Sequence, residues 1–292
     1  MAWSQLFLLA ITALSFFNPV FAIYQGTHSN CGEHPYAVHI EHHSYDDNGA
    51  SYSCGGTIIT PRHILTASHC VLHAFGASAA KAQERNMRVH LLRCENNRLV
   101  KTGRLYPTKE IHLREEYLTQ PTPEYDIAVI ELEQEIKYHP FLSSSAFLPT
   151  YEGPVQSRWE DNKQLTLIGS GTISSSPADL SDHLRQVRAA VIDKSECGHR
   201  SDAAWGYPGS MSQMQTDKFF CAIDRVTLGG ACSGDSGSGS HEYTNRKKKV
   251  VGVVAAGPVY CSQPNHYNAY TSASAYLGWI KSVVTPYQLK QF

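Results

Sequence analysis

The stretch Ala231–Gly239, "ACSGDSGSG", is the part of the sequence from which the fold can be argued. Ser236 stands in the middle of it and is followed directly by Gly237. Glycine residues let a chain turn tightly, so this segment is expected to present the Ser236 hydroxyl on a sharp turn. A tight turn by itself is common, and its meaning therefore depends on which other residues accompany it.

Two further fragments carry the residue types that a reactive serine needs. His69 lies in "LTASHC" and Asp126 opens the apolar run in "YDIAVIEL". Serine is a poor nucleophile unless a base near neutrality takes its proton, and histidine is that base. A buried carboxylate fixes the tautomer of the histidine, and two backbone N–H groups, those of Gly234 and Ser236, would stabilise an oxyanion.

Taken in the order His, Asp, Ser, these fragments resemble the three signature blocks of the chymotrypsin/trypsin family of serine proteases. The resemblance extends from Ile23 to the C-terminal helix. It implies an all-β fold of two packed six-stranded antiparallel β-barrels with a C-terminal α-helix. It also implies a serine endopeptidase that hydrolyses peptide bonds through His69, Asp126, Ser236 and an acyl-enzyme, without a cofactor. Its partners would be protein or peptide substrates and protein protease inhibitors.

The pattern of apolar residues agrees with an all-β protein. Short apolar runs recur between Gly, Pro, Asn and Ser residues, as in barrels and sandwiches. Only "SASAYLGWIKSVV" has apolar residues at helical spacing, which predicts a helix over about 272–284. We expect the first barrel over about 23–140 and the second over about 150–275.

The first 22 residues have the form of a secretory signal peptide. "LFLLAITALSFF" is an apolar segment too short to span a bilayer, and Ala22 supplies the small residue before a cut. Residues 23–292 would then form a secreted, extracellular peptidase domain. The formal net charge of −1 and the lack of a basic stripe argue against nucleic-acid binding. No later apolar run predicts a membrane span. We expect the protein to be a monomer.

The block Ile23-Tyr24-Gln25-Gly26 follows the predicted cut directly. In the resembled family, cleavage before Ile in "Ile-Val-Gly-Gly" frees an ammonium group that pairs with the Asp preceding the nucleophile. That residue is Asp235 here, so Ile23 and Asp235 are the expected activation ion pair. Signal peptidase itself would then create the active terminus, without a separate activation step.

Eight cysteines in a chain with a signal peptide suggest disulfides. The family resemblance implies Cys54–Cys70 behind the histidine, and Cys197–Cys221 and Cys232–Cys261 around the substrate pocket. It leaves Cys31 and Cys94 for a fourth bridge, whose pairing the sequence alone does not prove.

The residues aligned with the family's substrate pocket depart from the tryptic pattern. Gly230 stands at the pocket floor, where a trypsin-like enzyme carries Asp, so non-tryptic specificity is expected. Gly257 matches a wall glycine, whereas Asn268 replaces one and would narrow the pocket. A neutral, medium-sized or aromatic side chain is therefore predicted on the cleaved side. Ala255-Ala256 replaces the family's Ser-Trp, which removes a hydroxyl that would support Asp126.

One histidine cluster was a candidate metal site. "VHIEHHS" places His39, Glu41 and His43 on one face of a strand, because alternate side chains share a face. Two His and one Glu on a single strand seldom complete a site, so we favour an exposed strand beside a polar loop and predict no metal.

Two alternative functions remain open from the sequence. One is a weak or inactive protease homologue that acts as a binding or regulatory protein, although such homologues usually lose a triad member and all three are present here. The other is an esterase of narrow specificity that uses the same three residues.

Overall fold

The structure is a computed structural model of the 292-residue chain. It describes residues 23–43, 51–72, 87–100, 104–139, 143–153, 163–174, 180–205, 217–244, 247–258, 261 and 267–285. The predicted signal peptide, residues 1–22, lies outside the described residues.

Strands make up most of the regular structure. The strands are β1 (Thr27–His28), β2 (Ala37–His43), β3 (Ser51–Thr60), β4 (His63–Thr66), β5 (Met87–Leu91), β6 (Arg93–Glu95), β7 (Arg98–Val100), β8 (Leu105–Leu113), β9 (Ala128–Leu132), β10 (Gln164–Gly169), β11 (Arg185–Ile192), β12 (Phe219–Ile223), β13 (Gly239–Thr244), β14 (Lys247–Ala256) and β15 (Asn268–Ser272). The helices are α1 (Ser68–Leu72), α2 (Glu115–Thr119), α3 (Lys194–Trp205) and α4 (Leu277–Val284).

The first barrel closes six antiparallel strands in the order β2-β3-β4-β9-β8-β5. Its interior is filled by β-branched and other apolar residues such as Ile58, Ile64 and Val129, all fully buried. Such residues suit the pleated surface of a strand, so local preference and burial act in the same direction. The hairpin of β6 and β7 stands apart from the barrel strands.

The second barrel runs β11-β10-β13-β14-β15-β12 and closes through the pairing of β11 with β12. The all-β prediction with two six-stranded antiparallel barrels is thus confirmed. Strand β1, at the N-terminal end of the described chain, pairs with β11 and so joins the second barrel. The start of the chain is thereby held beside the loops that lead to Ser236.

Helix α4 ends the described chain and packs against the first barrel. Leu277, Ile280 and Val284 are buried at the spacing of one helical face, as the sequence pattern predicts. The helix begins at Leu277, after turns, rather than near residue 272. Among the described residues, no helix has the length and apolar character needed to cross a membrane.

Four disulfides cross-link the structure: Cys31–Cys94, Cys54–Cys70, Cys197–Cys221 and Cys232–Cys261. Bridges of this kind stabilise a fold mainly by restricting the unfolded chain. Cys54–Cys70 joins β3 to α1, and Cys232–Cys261 anchors the segment before Ser236.

The expectation of an exposed strand for "VHIEHHS" is wrong. Strand β2 lies between β3 and β5 inside the first barrel, and His39 is 7% exposed. The alternating pattern misled because polar imidazole rings occupy positions that are covered by neighbouring strands. The side chain of His43 lies outside the described ones.

Several buried histidines predict a loss of stability in acid. Burial, followed by the charge of Lys248, lowers the pKa of His34 to about 4, and burial also lowers the pKa of His63 to about 4. An unfolded histidine titrates near about 6.5, so the unfolded chain binds more protons between the two values. The free energy of unfolding should therefore fall as pH drops from about 6.5 towards 4, which denaturant titrations at several pH values would measure.

His241 offers a variant that checks the origin of this slope. Burial, then His34 and Lys248, holds the pKa of His241 well below its ordinary value, although the Gly239 and Thr166 carbonyls favour the charged ring. Neither ring nitrogen forms a well-aligned hydrogen bond. His241→Met should flatten the slope between pH 6.5 and 4; an unchanged slope would show that other groups cause it.

Candidate active site

Two adjacent strands of the first barrel bring His69 and Asp126 together. Thr66, the last residue of β4, pairs with Ala128, the first of β9. Because the strands are antiparallel, the segment after β4 and the segment before β9 leave the barrel at the same edge. His69, in α1, and Asp126 therefore meet there.

The His69–Asp126 contact is a double one. The Nδ1 atom of His69 lies 2.6 Å from Oδ2 of Asp126, and the backbone N–H of His69 donates to Oδ1 at 2.8 Å. Asp126 is only 3% exposed. Burial lowers the pKa of His69, but the charge and hydrogen bond of Asp126 outweigh it, so the net pKa is raised. The contribution of this pair to the free energy of unfolding is fully present below about pH 6.5, the pKa of an unfolded histidine. It is lost as the pH rises through the raised pKa of the folded state.

Three hydroxyl groups hold the loop that carries Asp126, and the sequence did not point to them in this role. Ser68 Oγ donates to the carbonyl of Ile127 at 2.8 Å, and Tyr276 OH donates to that of Glu124 at 2.6 Å. Thr271 Oγ1, from β15 of the second barrel, lies 2.9 Å from the carbonyl of Asp126 itself. These contacts act on backbone carbonyls, so the sequence carried no signal for them beyond the presence of a hydroxyl residue.

The loop that carries Ser236 packs against the first barrel through glycines. Gly237 has a φ of +76°, and a Cβ there would lie 2.2 Å from Thr66 Oγ1 and 3.1 Å from Cys70 Sγ. No larger residue fits that position. The Ser236 carbonyl accepts from Gly55 N at 2.7 Å. Ser236 is thus fixed beside the end of β4 and beside the Cys54–Cys70 bridge. Cys70 directly follows His69 in the sequence.

Around Ser236, two backbone N–H groups have no acceptor among the residues that the structure describes. The N–H groups of Asp235 and Gly237 donate to the carbonyls of Cys232 and Val254, each at 2.9 Å. Among the described residues, those of Gly234 and Ser236 donate to no carbonyl. Gly234 adopts a φ of +88°, which permits bonded and unbonded N–H groups to alternate along the turn. Two such donors in one turn are what a developing oxyanion requires.

No hydrogen bond joins Ser236 Oγ to the His69 ring within the part of the chain that the structure describes, and His69 Nε2 lies 3.8 Å from Cys70 Sγ. Such bonds are often long in the absence of substrate and shorten when it binds.

The family model of trypsin matches residues 23–280, which is most of the chain. The chain belongs to the trypsin family. It is accordingly a serine protease and a hydrolase.

Named relatives agree with this assignment. Trypsin Tyr p 3.0101 of Tyrophagus putrescentiae is 30% identical, over 88% of this chain and 78% of its own length. Trypsin Blo t 3 of Blomia tropicalis is 28% identical, over 90% and 86%. CLIP domain-containing serine protease C9 of Anopheles gambiae is 25% identical, over 91% and 69%.

In this trypsin-family protein, two of the three expected pocket residues, Asn268 and Gly257, meet at one amide. Asn268 Oδ1 accepts from Ala231 N at 2.9 Å, and Nδ2 donates to the Ala231 carbonyl at 3.2 Å. A Cβ at Gly257 would lie 2.5 Å from Asn268 Nδ2. Asn268 is 1% exposed, and its side chain is held against the backbone of Ala231, which follows Gly230 in the sequence, and lies beside Gly257.

The N-terminal segment of this trypsin-family protein reaches the same region. Ile23 and Asp235 are both fully buried, and a Cβ at Gly169 would lie 2.0 Å from Asp235 Oδ1 and 3.1 Å from Ile23 Cδ1. The two side chains therefore meet over one glycine. Gly230 N also donates to the carbonyl of Tyr24 at 3.0 Å, so the segment contacts the residue that the sequence analysis expects at the pocket floor.

Proposed function

We propose that this serine protease is a secreted, non-tryptic endopeptidase in which Ser236 is the nucleophile, His69 its base and Asp126 the residue that orients the base. Residues 23–292 would form the peptidase domain after removal of residues 1–22. The N–H groups of Gly234 and Ser236 would bind the oxyanion.

The observation that carries the proposal is the buried His69–Asp126 contact beside the Ser236 turn. The 2.6 Å bond to Nδ1 places the proton of the neutral ring there, which leaves Nε2 as the atom able to accept one from serine. Ser236 attacks the scissile carbonyl, its proton passes to His69 Nε2, and the imidazolium then protonates the leaving amine. Water, activated by the same ring, hydrolyses the acyl-enzyme and regenerates Ser236.

A serine-reactive fluorophosphonate tests the proposal. The folded protein should be labelled at Ser236, as peptide mapping would show, and denatured protein should not. Labelling requires an activated hydroxyl, so a folded sample without label would identify an inactive homologue. A panel of peptide and ester substrates would separate an endopeptidase from an esterase.

The pocket geometry supports a neutral side chain of medium size on the cleaved side. Gly230 offers no carboxylate for Lys or Arg, and the Asn268 amide occupies space against Gly257. A cationic side chain placed there would lack a charged partner, which is costly in a buried site.

Replacing Asn268 with glycine should open the pocket. We expect Asn268→Gly to raise kcat/KM for Phe and Tyr relative to Val by about tenfold, the size of effect that a change in a hydrophobic pocket produces. A peptide library that varies the cleaved residue would measure the ratio. Asn97→Gly, at an exposed position with a φ of 60°, is the matched control and should leave it unchanged. An unaltered ratio in Asn268→Gly would remove Asn268 from the pocket.

We also propose that signal peptidase creates the active terminus at Ile23. The support is the burial of Ile23 against Gly169 together with Asp235. An ammonium group at Ile23 would pair with Asp235, whose carboxylate accepts from Gly171 N at 2.7 Å and Cys232 N at 2.9 Å. The pair would thus brace the turn that contains Gly234.

N-terminal sequencing of secreted protein should begin at Ile23. In a variant that keeps Ala22, the ammonium group is displaced from Asp235. Its kcat should therefore fall by a factor of about 10²–10³, the effect of removing one oxyanion donor. A free α-amino group titrates near about 7.7–8.0, and the pairing raises that value, so activity should fall as pH rises through the raised pKa. Full activity with Ala22 retained, or flat activity into strong alkali, would contradict the pair.

A further inference from the structure

Strands β8 and β9 of the first barrel carry a cluster of two carboxylates and one imidazole, away from the proposed catalytic residues. Glu110 on β8 is paired across the strands with Glu131 on β9, and His112 follows two residues after Glu110 on the same face of β8. One donor atom from each of these three side chains lies within 4.8 Å of the other two. The Nδ1 atom of His112 is 4.0 Å from Oε1 of Glu110.

Two of the three donors are available. Within the described part of the chain, the side chains of Glu110 and His112 form no hydrogen bond, and both are accessible to solvent. Glu131 is different, because it is 8% exposed and its Oε1 accepts from Lys109 Nζ at 2.8 Å. Arg62 NH1 lies farther away, at 3.8 Å from the same oxygen.

Glu131 is a carboxylate rather than a neutral acid. The Lys109 ammonium donates to its Oε1 and the Arg62 guanidinium lies nearby, and two cations on one side favour the ionised form. A negative charge that is nearly buried needs a cation beside it. Lys109 meets that need now, but half of its side chain is exposed and the ammonium can swing into solvent.

We propose that Glu110, His112 and Glu131 form a zinc site in which Lys109 competes with the metal for Glu131. Imidazole with carboxylates suits Zn²⁺, whereas Ca²⁺ and Mg²⁺ prefer oxygen ligands alone. Three protein ligands and one water complete a tetrahedral zinc centre. The sequence predicted no metal, because two His and one Glu on the strand with His39 seldom complete a site, and the proposed site departs from that expectation.

The geometry needs only small side-chain rotations. Bonds of about 2.0–2.1 Å in a tetrahedron place neighbouring ligand atoms about 3.3 Å apart. The present separation of 4.0 Å between His112 and Glu110 closes by turning the exposed Glu110. The backbone stays in place, because both strands are fixed by their pairing in the barrel.

The test is a titration of the mature protein with ZnCl₂ against a chromophoric chelator, with Co²⁺ absorption as a second readout. His112→Asn should weaken binding at least about tenfold, and the visible Co²⁺ bands should disappear with it. Lys109→Met should strengthen binding, because it removes the competing cation. His90→Asn is the matched control: His90 also lies in the first barrel beside a glutamate, 3.2 Å from Glu41, and its loss should change nothing.

Three results would overturn the site. They are no zinc binding at millimolar metal, equal binding by the native protein and His112→Asn, or weaker binding by Lys109→Met. The second result would place any bound zinc elsewhere, for example at His69. Circular dichroism of each metal-free variant shows whether it is folded, and Glu110→Gln provides a second ligand variant at an exposed position.

Discussion

Ser236→Ala is expected to reduce kcat for peptide hydrolysis by a factor of about a million, as loss of the nucleophile does in other serine proteases. The Ser236 hydroxyl is the proposed nucleophile, so the acyl-enzyme cannot form without it. The amides of Gly234 and Ser236 stay in place, so KM should change little. Steady-state kinetics with a chromogenic peptide would measure both constants.

A second serine variant shows that the effect is specific to the site. Ser282→Ala removes an exposed hydroxyl that donates to the Trp279 carbonyl in α4, far along the chain from Ser236. It should keep full activity. Residual hydrolysis by Ser236→Ala within a hundredfold of the native rate would mean that another nucleophile does the chemistry.

Asp126→Asn is expected to lower kcat by about 10⁴, because an amide in this position favours the wrong tautomer of the histidine. The present carboxylate accepts from both the backbone N–H and Nδ1 of His69. The NH₂ group of an asparagine cannot accept a hydrogen bond, so one of these two hydrogen bonds must be lost. The structure around it should persist, since Thr271 and Ser68 hold the loop through backbone carbonyls.

The pH profile distinguishes this role from a merely structural one. Asp126 raises the pKa of His69, and activity requires the neutral ring, so the acid limb of kcat/KM lies above about 6.5 in the native enzyme. Asp126→Asn should move that limb to lower pH. Asp217→Asn, an exposed aspartate paired with Lys194, should move neither kcat nor the limb. A drop in kcat without a shift of the limb would contradict the orienting role.

Sequence patterns predicted the fold well because strands are short and locally encoded. Apolar runs bounded by Gly, Pro and Asn became barrel strands, and the helical spacing of Leu277, Ile280 and Val284 became α4. The pattern failed at His39, because polar residues on a strand do not reveal which neighbours cover them. Burial on both faces of β2 depends on strands far away in the sequence.

The candidate site shows the same division. The positions of His69, Asp126 and Ser236 came from short motifs, whereas the support of Asp126 by Thr271 depends on two barrels meeting. The two hydrogen bonds from the Asn268 amide to the backbone of Ala231 likewise could not be deduced from one glycine-to-asparagine difference. The Glu110–Glu131 pairing required the register of β8 with β9. Long-range geometry is what the linear pattern lacks.

The complete burial of Ile23 bears on how the enzyme can be produced. In the proposed pairing with Asp235, an affinity tag fused before this residue keeps the Ile23 nitrogen in a peptide bond, so the ammonium group cannot form. We therefore expect a cleavable tag at that end to act as an artificial propeptide, whose removal directly before Ile23 allows the proposed ion pair to form in the purified sample. A tag after Phe292 leaves the terminus free, and the cells that make such a protein must tolerate an active protease.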